Sequence, residues 1–165
     1  MLDFSIRPLK RAERSWVDQA IRTEWGAPTI AVHQMLYLPS ELPGFVAEQG
    51  GQKAGLATYH IDGRSCEIVS LNSWREGQGI GTALIEAVKR ICRQKNCRRL
   101  WLVTTNDNTP ALLFYQRRGF TIAAIYIGAV EADRRLKPEI PLTGIDGIPI
   151  RDEIELEIHL PGHRA

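Results

Sequence analysis

Residues 67–84 read Glu67-Ile68-Val69-Ser70-Leu71-Asn72-Ser73-Trp74-Arg75-Glu76-Gly77-Gln78-Gly79-Ile80-Gly81-Thr82-Ala83-Leu84. The opening residues, Glu67 to Asn72, read as a strand that runs into a turn. Beyond them Ile80, Ala83, Leu84, Ala87, Val88 and Ile91 fall on one helical face, which predicts a helix starting near Gly79. The turn between carries glycine at 77, 79 and 81. Glycines at alternate positions let the main chain turn tightly and bring bare N–H groups against a ligand, and the helix start adds the positive end of its dipole. Together these features suit a diphosphate; a turn whose glycines serve packing alone is the other reading. Two phosphate loops are excluded on residue grounds. No lysine precedes Thr82, as GxxxxGK[ST] requires, and a GxGxxG or GxGxxA count from Gly77 ends on Thr82.

Outward from this segment, Ala54 to Ile61 and Arg99 to Thr104 also read as strands, with Phe4, Ile6 and Phe45, Ala47 as shorter alternating stretches. Gly50-Gly51 and Asp62-Gly63 are hairpin-turn signals. Lys10 to Trp25 has helical character, with Trp16, Val17, Ala20, Ile21 and Trp25 roughly on one face. Residues 26–43 give no clear period. Pro110 to Arg118 predicts a second helix, with Asn108 or Thr109 as N-cap and Gly119 as its stop. Phe120 to Gly128 reads as a strand, and Ile154, Leu156 and Ile158 as a last one. Strands alternating with helices predict a mixed α/β layer.

At 165 residues the chain fits one domain, large enough to bury about two thirds of its unfolded surface. No apolar run approaches the ~20 residues needed to cross a bilayer, so no membrane partner is expected, and Met1 to Leu9 carries no export signal. Cys66, Cys92 and Cys97 match neither a zinc pattern nor a CxxC pair; reduced, buried thiols in the cytoplasm are expected, and no metal is implied. A net charge of +2 lacks the concentrated basic field that nucleic-acid binding needs. A small-molecule or peptide partner remains, with a homodimer as the default assembly.

The run Glu76 to Leu84, then a helix, a strand, Asn108, Ala111 and Phe114-Tyr115-Gln116-Arg117-Arg118-Gly119-Phe120, resembles the GNAT superfamily of acetyl-CoA-dependent N-acetyltransferases, most strongly over residues 68–120. The resemblance implies an α/β (α+β) fold: one domain with a central mixed, mostly antiparallel twisted sheet flanked by helices, acetyl-CoA as co-substrate, and no metal. It implies that main-chain amides of the glycine loop, Gly77, Gln78, Gly79, Gly81 and Thr82, bind the CoA diphosphate. Glu76 stands where the family usually has Gln or Arg, which touches a side-chain contact and leaves main-chain binding intact. The strand Ser70 to Asn72 would pair with the pantetheine arm, Leu71 offering an N–H to the thioester oxygen.

By the same resemblance Tyr115 protonates the departing CoA thiolate, as a phenol of ordinary pKa near 10 can at neutral pH, and Asn108 bonds the pantetheine or positions Tyr115. Its role as a helix N-cap is compatible with either. A core tyrosine beside Phe114 is the plain reading of Tyr115. An acceptor ammonium must lose a proton, and Glu67 is the best-placed carboxylate: alternation sets Glu67, Val69 and Leu71 on one face and Ile68, Ser70 and Asn72 on the other. An ordinary surface glutamate is the other reading. Cys66 keeps a ping-pong route formally open. None of His33, His60, His159 and His163 is assigned a role. The long connection Val130 to Asp152, with Arg134, Arg135 and Lys137, predicts either a lid shaping the acceptor pocket with the Trp16–Trp25 helix or a wrap along the sheet edge. The expected reaction is direct acetyl transfer to a primary amine; an acyl-CoA-binding module without turnover is the competing function.

Overall fold

The computed structural model describes residues 3–161. In chain order it contains β1 (Ser5–Pro8), α1 (Arg14–Trp25), β2 (Ile30–Val32), β3 (Met35–Tyr37), β4 (Gly44–Gln49), β5 (Gln52–Asp62), β6 (Ser65–Ser73), α2 (Ile80–Gln94), β7 (Arg99–Thr105), α3 (Thr109–Gln116), β8 (Thr121–Tyr126), α4 (Val130–Leu136) and β9 (Glu153–His159). Seven strands form a mixed sheet in the order β1-β4-β5-β6-β7-β9-β8, and β2-β3 is a separate hairpin. No helix among the described residues is long and apolar enough to cross a membrane. The chain clusters into two units, one built mainly from residues 40–100, the other from residues 16–39 and 101–158.

In the first unit β1, β4, β5 and β6 pair antiparallel in succession. Gly50 and Gly51 make the β4–β5 turn at φ +58° and +75°, the left-handed conformations such two-residue turns require. Helix α2 buries Ile80, Leu84, Ile85, Val88 and Cys92. It packs on β5 so closely that a Cβ on Gly55 would stand 2.7 Å from Ile80 Cγ2, so glycine is required there for the helix to approach. The helix ends at Asn96, φ +57°, and the Cys97 N–H donates to the Cys92 carbonyl at 2.8 Å. All three cysteines are free and buried, as expected.

In the second unit β8 and β9 pair antiparallel. The segment without a clear sequence period resolves into the β2–β3 hairpin, whose turn residues His33 and Gln34 have φ +49° and +57°. Neither is glycine, which is why the hairpin is silent in the sequence. The predicted loop Val130 to Asp152 is not wholly loop: it opens with α4, which packs against the β2–β3 hairpin. Arg134 holds the rest in place, donating to the carbonyls of Pro141 (2.9 Å) and Ile150 (2.5 Å).

Candidate active site

In the first unit β6 leads through residues 74–79 into α2. Gly77 and Gly79 have φ +73° and +81°, and a Cβ built on either meets nothing within 4 Å. Packing therefore does not demand glycine at these positions; the backbone conformation does. Gly79 is the N-cap of α2 and brings no capping side chain, so the first-turn N–H groups have no side-chain acceptor from that position. The predicted loop residues Gly81 and Thr82 lie inside the first turn of α2, with Gly81 buried. The Gln78 side chain accepts from Gln49 Nε2 at 2.6 Å, and Arg75 donates to Gln52 Oε1 at 3.0 Å. Two contacts thus tie the turn to the ends of β4 and β5. The bare left-handed turn ahead of a helix fits the diphosphate of CoA.

Strand β6 departs from simple alternation. Thr58 pairs with Ser70 and Tyr59 with Ile68, so Val69 is an extra, bulged residue. Cross-strand partners share a face, and along β5 residue 57 and residue 60 face opposite ways. Leu71 is the partner of Ala57, whereas Glu67 is the partner of His60. The expectation that Glu67 and Leu71 point together is therefore wrong: the bulge sets Glu67 with Ser70 and Asn72, and Leu71 with Ile68. Nor is Glu67 a surface glutamate, since it is buried. On its face lie the buried Thr58–Ser70 hydroxyl pair, 2.6 Å apart, and Asn72, whose Oδ1 is buried with no hydrogen-bond partner among the described residues.

In the second unit β7 runs into Asn106-Asp107-Asn108, and each of the three has a different task. Asn108 caps α3, its Oδ1 accepting from the Ala111 N–H at 3.2 Å. Asn106 Oδ1 accepts from the N–H groups of Arg151 and Asp152, both at 3.0 Å. Asp107 is buried and accepts from the Ile145 N–H at 3.1 Å and the Thr105 hydroxyl at 2.5 Å. Asn106 and Asp107, passed over in the sequence, fasten residues 145–152 beside the start of α3. Tyr115, on α3, is buried edge-on against Phe120 at 5.5 Å. Burial pushes its phenol above the ordinary value, and the nearby Arg118 charge offsets part of that rise.

A second polar cluster in this unit was not foreseen at all. Glu153 accepts from the His33 main-chain N–H at 3.0 Å and meets His33 Nδ1 at 2.8 Å. Glu155 lies 3.3 Å from His33 Nε2. Carboxylates thus stand against both ring nitrogens. Trp101 stacks on the ring at 5.8 Å and Tyr126 meets it edge-on at 4.7 Å. Asp133 accepts from the Gln34 N–H at 2.8 Å. Burial and a hydrogen bond to Glu153 raise the Asp133 carboxyl to about 7. Burial works against ionising Glu153 too, yet hydrogen bonds from His33 and Asp133 hold it below the usual range. Below about pH 7 the pair thus shares one proton, carried by Asp133. Lys137 closes the other end, donating to the Thr29 carbonyl at 2.6 Å.

A mixed sheet whose longest helix opens on a bare glycine turn defines an α/β protein with a candidate phosphate site at that helix start. Residues 10–120 match the family model for the acetyltransferase (GNAT) family, and the chain belongs to that family. It is 49% identical over 131 residues to the Bacillus subtilis uncharacterized protein YdhI, covering 79% of this chain and 82% of that one. It is 40% identical over 154 residues to YxbD of the same organism, covering 93% and 97%. A GNAT family acetyltransferase from Elizabethkingia anophelis with acetyl-CoA bound has the same fold, with TM-score 0.69, 19% identity and coverage of 96% and 99%. The protein is accordingly an acetyltransferase with acetyl-CoA as co-substrate.

Proposed function

We propose that the chain transfers acetyl from acetyl-CoA to a primary amine of a small molecule or peptide in the cytoplasm, by direct attack in a ternary complex. One observation carries the reading: α2 starts on a left-handed Gly79 with no capping side chain and open space around it. Main-chain amides of Gly77, Gln78, Gly79, Gly81 and Thr82 then hold the diphosphate. Asn72, with its orphaned Oδ1, is suited to accept from an amide N–H of the pantetheine arm, and Asn108 supports α3.

Glu67 takes a proton from the acceptor ammonium, freeing the lone pair that forms the new C–N bond. The Leu71 N–H donates to the carbonyl oxygen as it gains the displaced electron pair. When the carbonyl re-forms and the C–S bond breaks, Tyr115 gives its phenolic proton to the thiolate sulfur, the second proton on the attacking nitrogen leaves to water as the amide forms, and water re-protonates the phenolate. The raised phenol pKa keeps that proton in place until the thiolate appears. Residues 130–152 line the acceptor side together with α1, a role favoured by the anchoring of that segment through Asn106 and Asp107. The test is thiol release from acetyl-CoA over a panel of amines, wild type against Tyr115→Phe. The ring packs the same without its hydroxyl, so CoA affinity should hold while kcat falls about 10²–10⁴-fold. A loss below threefold would remove Tyr115 from the chemistry.

A further inference from the structure

We infer that His60 is the proton relay that empties Glu67 after each transfer, an inference that rests on the reading of Glu67 as the base. Glu67 is only 3% exposed, so a proton taken from the acceptor ammonium is held out of contact with bulk water. A carboxylate that keeps its proton cannot act as a base in the next turnover. The sheet face on which Glu67 lies is closed in one direction along β5 and open in the other. Towards the middle of β5 stand the buried Thr58 and Leu56, with the Thr58 and Ser70 hydroxyls 2.6 Å apart. Towards its end β5 passes through half-buried His60 to exposed Asp62 on the same face. His60 is the residue directly opposite Glu67.

The bulge makes this pairing. Counting on from Thr58 opposite Ser70, an unbroken ladder would set His60 against Ile68; the extra residue Val69 brings Glu67 there instead. Directly opposed residues have Cβ atoms about 4.5–5.5 Å apart, a gap that a glutamate and an imidazole together can span. Imidazole suits the task because one nitrogen of the neutral ring accepts while the other donates. Protonated Glu67 gives its proton to the accepting nitrogen, which leaves a carboxylate beside an imidazolium. The imidazolium then loses a proton to water or buffer, and the neutral ring can accept again. A carboxylic acid is a stronger acid than an imidazolium in water, so the handover runs downhill. Asp62, two residues further along the same face, puts a negative charge on the solvent side of that cation.

The test uses n-butylamine, spermidine and a tetrapeptide with a free N-terminal glycine as acceptors. Acetylated amine is measured directly, because added imidazole can itself take an acetyl group. His60→Ala and His60→Gln should each lower kcat about 10²-fold, the low end for a proton-transfer group, while acceptor KM and CoA affinity stay within about twofold. Imidazole at about 50 mM should then speed His60→Ala at least about tenfold and leave Glu67→Gln slow, a rescue that a merely structural role would not give. CoA binding reports that each variant is folded, and His60→Gln keeps the size and polarity of the site should the alanine variant fail to fold. Either folded variant within about threefold of wild type would overturn the relay. So would a slow His60→Ala that imidazole does not restore. The base reading fails separately: a Glu67→Gln enzyme at full speed strikes Glu67 and the relay with it, whereas a slow Glu67→Gln beside a fast His60→Gln strikes the relay alone. Acetylation of none of the three amines would strike the transfer reading itself, and the relay with it.

Discussion

Replacing Gly79 by alanine separates a glycine kept for a ligand from one kept for packing. At φ +81° the residue sits in the left-handed region, where a Cβ costs about 1–2 kcal/mol. No clash adds to this, since nothing lies within 4 Å of the new carbon. A domain of this size then loses about 2–8 °C in Tm. The methyl group projects into the space the diphosphate is proposed to fill. Losing one or two N–H bonds to a charged oxygen, each ~1.5–3 kcal/mol, weakens CoA binding about 10–100-fold or more. Titration calorimetry with CoA and a thermal melt on one sample give both quantities. Gly55→Ala is the control, because its Cβ would collide with Ile80 and Leu84; its larger effect should fall on Tm. Should Gly79→Ala bind CoA within twofold of wild type while its Tm falls as stated, the turn does not hold the diphosphate.

Two electrostatic predictions accompany it. The folded Asp133 carboxyl titrates near 7 against 3.8 ordinarily, so the folded state holds a proton that the unfolded chain has lost. Stability on this account falls as pH climbs from about 4 to 7 and is flat beyond. Asp133→Asn mimics the protonated form; it should flatten that slope and raise Tm at pH 8 by a few degrees, roughly 1 kcal/mol, and an equal loss of Tm at every pH would refute the shared proton. Glu13 behaves oppositely: its hydrogen bond with Arg7 holds it at about 2, so its contribution is complete above pH ~4.5 and disappears towards pH 2. Glu13→Gln should lower stability by about 0.5–1 kcal/mol at pH 7 and match wild type in acid melts at pH 2.

The parts legible in the sequence are those whose cause is local. The apolar stripe of α2, the glycines of its entry turn and the Asn108 cap each act within a few residues, and the structure has α2 and α3 where these signals put them. The β2–β3 hairpin is the opposite case. His33 and Gln34 take left-handed conformations that neither favours, and their N–H groups are held by Glu153 and Asp133, 120 and 99 residues away. No window of sequence contains both ends of such a contact. The same holds for α4, a helix of seven residues. Its charged residues read as a polar loop, whereas Asp133, Arg134 and Lys137 are the fasteners of distant main chain.

The bulge at Val69 has the greatest consequence for chemistry. Period-two alternation is a rule about counting, and one uncounted residue reverses every assignment beyond it. Val69 reads as an ordinary strand residue, and only the pairing with β5 exposes the insertion. Counted through, it separates the group proposed to act on the thioester from the one proposed to act on the amine, with Leu71 directed to one face and Glu67 to the other. The reversal is compatible with the proposed roles because the two residues contribute different atoms. Leu71 acts through its main-chain N–H, which lies in the sheet plane whichever way its side chain points, whereas a base must aim its side chain. Glu67 therefore keeps its role only if the acceptor amine approaches from the face of Thr58, Ser70 and Asn72. Thr58→Val would remove a buried hydroxyl from that face with little change of volume. It should perturb the acceptor KM more than CoA affinity, because Asn72 on the same face is proposed to hold the pantetheine arm; an unchanged acceptor KM would put the amine on the face of Leu71 and exclude Glu67 as its base.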